Sequence, residues 1–240
     1  MKIETSFVVL SLAPWLWPGE FDTRRKHFSD KGMNIQQAYT DWSETYDQDR
    51  NLTRDLDETV TRGTLANLRC HSTLELGCGT GKNTALLASI SQRVTAIDFS
   101  TGMIEKARQK LSFDNVIFIV ADISQPWLFA AQSFDLIVCN LVLEHISDLP
   151  FIFAQASGVL PERGRFFVSE LHPFRQYQGT QANFQRSQQT THIPAFVHHI
   201  SDFIDAGEAN ELALSEMKEW WHAEDQNKPP RLVSFMFHKR

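Results

Sequence analysis

Five short runs of branched and apolar residues recur along this chain, at Thr73–Leu76, Val94–Ile97, Val116–Val120, Leu136–Cys139 and Phe166–Val168. Between them lie amphipathic helical patterns: Met103, Ala107 and Leu111 recur every fourth residue, as do Ile152, Ala156 and Leu160. Ser100 or Thr101 suits the start of the first helix, and Asp148 with Pro150 the start of the second. Continuous apolar strands alternating with helices describe a parallel sheet covered on both faces, since a strand buried on both sides need not alternate polar with apolar. Two further helices read at 33–48 and 53–68, and another near 200–212. Late strand candidates Leu214–Trp221 and Leu232–His238 flank the turn Asn227-Lys-Pro-Pro230, which implies an antiparallel pair. The stretch 173–193 breaks the rhythm: it is polar, Gln-rich and without apolar periodicity, and reads as a long loop serving as lid or binding element, or as disorder.

A length of 240 residues, with 42% hydrophobic and 22% charged, suits one large soluble domain and excludes collagen, coiled coil and disulfide-stapled miniprotein. The net charge of −6, with Arg24-Arg25-Lys26 the sole basic cluster, argues against a nucleic-acid partner. Three widely spaced cysteines, Cys70, Cys78 and Cys139, read as the reduced thiols of a cytoplasmic protein. Positions 3–17 are apolar but shorter than the ~18–20 residues that span a bilayer, and carry Glu4 and Pro14, so stable membrane insertion is not expected. Positions 3–17 read as a short signal peptide, a peripheral anchor or a segment packed on the domain surface, and Met33 offers an alternative start that would leave 1–32 an upstream extension. Residues 1–32 are therefore treated as an N-terminal extension without assigned function, and 33–240 as the working domain.

The strongest local signal is Leu74-Glu-Leu-Gly-Cys-Gly-Thr-Gly81, between a strand and a helix. Gly77 and Gly79 let the backbone turn sharply and approach a ligand, and the following helix presents free amides. The dinucleotide pattern G-x-G-x-x-G is not met, because Lys82 stands where it requires glycine or alanine. Asp98 ends the next strand 21 residues beyond Gly77, the spacing at which an acid meets ribose hydroxyls, and Asp122 ends the strand after that. Two acids at successive strand ends beside a glycine loop favour an adenosine site over simple helix caps.

Together with Phe134-Asp-Leu-Ile-Val-Cys-Asn140, these motifs resemble, in order and register over 33–240, the class I S-adenosylmethionine-dependent methyltransferases. The resemblance implies an α/β, Rossmann-like open sheet of seven strands, mostly parallel with an antiparallel last strand and helices on both faces. It implies S-adenosyl-L-methionine as cofactor. By that likeness Gly77 and Gly79 face the methionine part, and Glu75 orders the loop. Asp98 holds the ribose hydroxyls, with Phe99 beside it. Met103 flanks the adenine, and Asp122 accepts from its amino group, with Ile123 alongside. Asn140 and Leu141 border the sulfonium, and Tyr46-Asp47 folds over the methionine end. Relatives that bind a divalent metal here carry a further Glu where this chain has Leu141, so no metal is expected.

The sulfonium already makes the methyl group electrophilic, which leaves alignment and water exclusion to the protein. A base is needed where the acceptor must lose a proton, and His145 and His172 both follow strand ends and are the candidates. The reading is methyl transfer to O, N or C of a small molecule, with 173–212 closing over it. The alternatives are a carrier-bound acyl group or protein as acceptor, for which Arg175 and Arg186 would supply the basic patch, an NAD-binding oxidoreductase, and a non-catalytic binder. The fourth strand lacks the Asn-Pro-Pro-aromatic sequence used on flipped bases.

Overall fold

The computed structural model describes residues 35–127, 133–186 and 189–240, so the extension 1–32 lies outside the described residues. Two helices come first, α1 (Ile35–Trp42) and α2 (Leu52–Leu65). The side chain of Asn51 caps α2, accepting from the amides of Thr53 and Arg54 at 3.0 and 3.1 Å. Strands and helices then follow, alternating except where β4 succeeds β3 among the described residues: β1 (Cys70–Leu76), α3 (Thr84–Ile90), β2 (Ser91–Asp98), α4 (Thr101–Lys110), β3 (Val116–Val120), β4 (Leu136–Asn140), α5 (Leu149–Val159) and β5 (Arg165–Leu171). Ser100 caps α4 through Met103 N, and Asp148 caps α5 through Phe151 N, with Pro150 in its first turn.

The expected seven-stranded sheet forms, in the order β3-β2-β1-β4-β5-β9-β8, where β8 is Leu212–Trp220 and β9 is Leu232–Lys239. The first five strands are parallel, and β9 runs antiparallel to both neighbours. The central strands are buried on both sides, and side chains alternate between two cores. Ile137 and Cys139 of β4 face one core with Phe153 of α5 and Phe237 of β9. Leu136 and Val138 face the other with Val60 of α2 and Leu87 of α3. All three cysteines are free and buried.

One stretch departs from expectation. Segment 173–193 contains a short helix, α6 (Pro173–Tyr177), and a hairpin of β6 (Asn183–Arg186) with β7 (Gln189–His192). Pro173 starts α6, where a missing amide proton costs nothing. The hairpin rests on backbone pairing between polar segments, a signal that hydrophobic periodicity does not carry. The last helix, α7 (Ile200–Ala209), stops short of 212 because Leu212 already belongs to β8. Among the described residues no helix is long and apolar enough to cross a membrane.

Candidate functional site

The glycine loop leaves β1 with Gly77 at φ +69° and Gly79 at φ +54°, both in the left-handed region. A Cβ on Gly77 would run into Val142 Cγ2, so the loop lies directly against the chain leaving β4. Cys78 N donates to Ile97 O at 2.9 Å, and Gly79 N donates to Asp98 Oδ2 at 2.9 Å. The second oxygen of Asp98 accepts from Ser100 N at 2.8 Å. Asp98 thus joins the loop to the start of α4, and its bonds come from neutral amides. Burial pushes its carboxyl up to about 6, against the pull of those amides. Glu75 lies on the opposite side of β1 from Leu74 and Leu76. It accepts from Thr84 Oγ1 at 2.5 Å, tying the loop to α3, and burial pushes its carboxyl up to about 8.

A cavity of about 550 Å³ opens at the carboxyl ends of β1, β2 and β4, within the range typical of ligand pockets. Gly77, Gly79, Asp98, Phe99 and Met103 line it, as do Asp122 and Ile123 after β3, Asn140 and Leu141 at the end of β4, Tyr46, and His145. Glu75 and His172 are outside the lining. Asp122 is turned locally, accepting from Ser124 N and Ser124 Oγ at 2.9 and 2.7 Å. The N-terminal segment folds over the loop: Gln36 donates to Phe99 O at 2.6 Å, and Asp47 accepts from Thr80 Oγ1 and Lys110 Nζ at 2.6 and 2.9 Å.

Two further lining residues, Arg54 and Asp57 on α2, escape the reading of the sequence. Asp57 accepts from Asn83 Nδ2 and Asn140 Nδ2, both at 2.9 Å, and burial raises its carboxyl above the usual range. The amide oxygens of Asn83 and Asn140 are buried without a hydrogen-bond partner. Arg54 is buried, lies 3.9 Å over the Tyr46 ring, and donates to the carbonyls of Tyr46 and Asp49 at 2.6 and 2.8 Å. The spacing Arg54, Asp57, Thr61 draws a polar stripe beside Leu56 and Val60, and that stripe is the signal that was available.

This donor set fits an amino-acid tail joined to a ribose and a base. Orphaned acceptors beside a guanidinium suit the ammonium and carboxylate of an amino-acid tail. A buried carboxylate bonded to neutral amides suits vicinal hydroxyls, and Ile123 with Met103 beside Asp122 suits a flat base with an amino group.

The candidate bases separate. His145, in the turn after β4, has Nε2 at 2.8 Å from Tyr39 Oη and Nδ1 at 3.0 Å from Pro194 O. His172 caps α6: its Nδ1 accepts from Phe174 N at 3.1 Å and its Nε2 is 2.9 Å from Glu219 Oε1. A second cavity of about 460 Å³ adjoins the first and shares Tyr39, Tyr46, Arg54 and Leu141 with it. Arg50, Arg231 and Thr180–Ala182 lie at its other side. Arg175, expected in a basic patch, is instead buried, bonded to Asp225 and to the carbonyls of Pro229 and Pro230. The side chain of Arg186, the other patch candidate, lies outside the described residues.

Residues 74–168 match the sequence profile of a family described as "Methyltransferase domain". Malonyl-[acyl-carrier protein] O-methyltransferase of Anoxybacillus flavithermus is 29% identical over 137 residues, 56% of this chain and 51% of that protein. The biotin biosynthesis bifunctional protein BioHC of Cellvibrio japonicus is 29% identical over 171 residues, 70% of this chain and 33% of that protein. The match therefore spans about half or less of these relatives' length. Among solved structures, the N-methyltransferase NodS of Bradyrhizobium japonicum bound to S-adenosyl-L-homocysteine superposes with a TM-score of 0.65 at 20% identity, over 86% of this chain and 99% of that one.

Proposed function

We propose, from the premise that this chain belongs to the class I S-adenosylmethionine-dependent methyltransferase family, that it transfers a methyl group from S-adenosyl-L-methionine to a small-molecule acceptor seated in the second cavity. The observation that carries the reading is Asp98: a buried carboxylate that lines the cavity and accepts from the backbone amides of Gly79 in the loop and Ser100 at the start of α4. When bound, the cofactor supplies an electrophilic methyl group. In this reading Asp98 takes the ribose hydroxyls, and Asp122 with Ile123 and Met103 takes the adenine. Arg54 takes the tail carboxylate, and Asn140 Oδ1 its ammonium. Gly77, Gly79 and Tyr46 close around the tail, and Leu141, shared by both cavities, borders the reacting carbon. Glu75 and His172 support the walls from outside. The lid role of 173–212 is favoured by Thr180–Ala182 on the second cavity and Phe196 on the first.

A second reading, transfer to a carrier-bound acyl group, is favoured by the names of the relatives, while the engagement of Arg175 removes one of its expected contacts. Calorimetry with S-adenosylmethionine, S-adenosylhomocysteine and NAD tests the cofactor. The first two should bind and NAD should not; binding of NAD alone would replace the proposal with an oxidoreductase. Labelled methyl donor with a metabolite extract, followed by mass spectrometry of the labelled product, then names the acceptor.

A further inference from the structure

Tyr39 lines both cavities, at the place where they meet. Its hydroxyl is 2.8 Å from His145 Nε2, and His145 Nδ1 is 3.0 Å from the carbonyl oxygen of Pro194. A carbonyl only accepts, so Nδ1 carries the ring proton, Nε2 is the acceptor, and Tyr39 donates to it. The imidazole is therefore fixed in one tautomer by two separate segments, α1 through Tyr39 and the chain after β7 through Pro194. Glu144 stands beside it, with Oε1 3.8 Å from His145 Nε2 and Oε2 buried without a hydrogen-bond partner.

Resting on the methyl-transfer reading, we propose that Tyr39 and His145 form a proton relay into the second cavity, and that the acceptor is a neutral O–H or N–H nucleophile rather than a carboxylate. The acceptor's proton passes to Tyr39 Oη as the phenolic proton passes to His145 Nε2. The freed lone pair of the acceptor forms the bond to the methyl carbon, and the carbon–sulfur bond breaks with its electrons staying on sulfur. His145 is left as an imidazolium, held by the Pro194 carbonyl and the carboxylate of Glu144, and loses its proton to solvent. Burial, then the charges of Tyr46, Glu144, Asp98 and Glu170 that face Tyr39, hold its phenol above the usual range. It therefore stays protonated and works as a carrier of protons, not as a standing phenolate. A carboxylate acceptor would arrive ionised and would have no use for such a relay.

The test uses the acceptor recovered from the labelled extract, with wild type, Tyr39→Phe, His145→Gln and the double variant. The labelled product should be an ether or a methylamine. Each single variant should slow transfer by ~10²–10⁴-fold, and the double variant should be no slower than the singles, because the two residues act as one unit. The residual rate of the variants should climb about tenfold per pH unit as the acceptor ionises unaided. Independently of turnover, nitrogen NMR of labelled histidine should find His145 protonated at Nδ1, with the Nε2 resonance moving in Tyr39→Phe. Thermal melting and calorimetric affinity for S-adenosylmethionine serve as controls for folding. A methyl ester product, or a Tyr39→Phe rate within about threefold of wild type, overturns the relay and leaves methyl transfer standing. Failure of the wild type to bind S-adenosylmethionine overturns both.

Discussion

Replacing Asp98 with Asn should alter how the stability of the unliganded fold depends on pH, by an amount that follows from its burial. Burial raises this carboxyl from 3.8 to about 6. At ~1.4 kcal/mol per pH unit, that corresponds to about 3 kcal/mol of differential interaction between its two protonation states. The folded protein binds the proton more tightly than the unfolded chain does. The resulting stabilisation is fully present below 3.8 and is lost as pH rises through about 6. Asparagine has nothing to ionise. It sets an NH₂ against Gly79 N or Ser100 N instead, at a pH-independent cost of about 1–3 kcal/mol. Urea denaturation of both proteins between pH 4 and pH 7.5 should find the stability of the variant rising relative to wild type by about 2–3 kcal/mol. Glu75 and Glu170, both pushed up to about 8 by burial, titrate in both proteins and cancel to first order. A change under about 1 kcal/mol, or of the opposite sign, would show that Asp98 is not a strained charge awaiting hydroxyl donors.

Three other outcomes are expected. Gly77→Ala should destabilise the fold by about 2–4 kcal/mol through its positive φ and the collision with Val142, and adding Val142→Ala should recover part of that in chemical denaturation. Arg54→Gln should weaken S-adenosylmethionine binding by about 1.5–3 kcal/mol, while affinity for the decarboxylated analogue stays unchanged by calorimetry. Asp225 accepts from Arg231 Nε and Nη2 at 2.7 and 2.6 Å and lies 3.0 Å from Arg175 Nη2. Asp225→Ala leaves two nearly buried guanidiniums facing each other, and should lower unfolding free energy by about 3–5 kcal/mol.

What the sequence disclosed was whatever the chain encodes locally. The glycine loop, Asp98 and Asp122 each sit at the end of a strand whose apolar run announces it, so their meeting at one crevice followed from topology alone. Ser100 and Asp148 were legible as caps for the same reason. Arg54 and Asp57 were hidden because a charged residue on a loosely periodic helix reads as solvated; their burial depends on the carbonyls of Tyr46 and Asp49 and on the amides of Asn83 and Asn140, whose approach to α2 no local pattern announces. The two histidines were alike in sequence, each a few residues past a strand. Only the neighbours brought by α1 and by β8, Tyr39 and Glu219, tell them apart. The hairpin of β6 and β7 was illegible because neither strand carries the alternation that marks a buried face.

The place of β9 between β5 and β8 also bears on how the chain reaches this state. Strand β8 pairs with β9 alone, so it has no seat in the sheet until β9 has docked on β5. During synthesis β5 is made well before its partner and must wait with its hydrogen-bonding edge open while some sixty residues follow. Strands β1 to β3 pair through near neighbours and can form early, whereas β4 reaches β1 only across the stretch from Thr73 to Leu136. The end of the sheet that brings Arg231 to the second cavity is completed by β5 with β9, whose pairs reach from Arg165 to His238, the widest separation in the sheet, and should be the slow step of folding and the stage most exposed to aggregation.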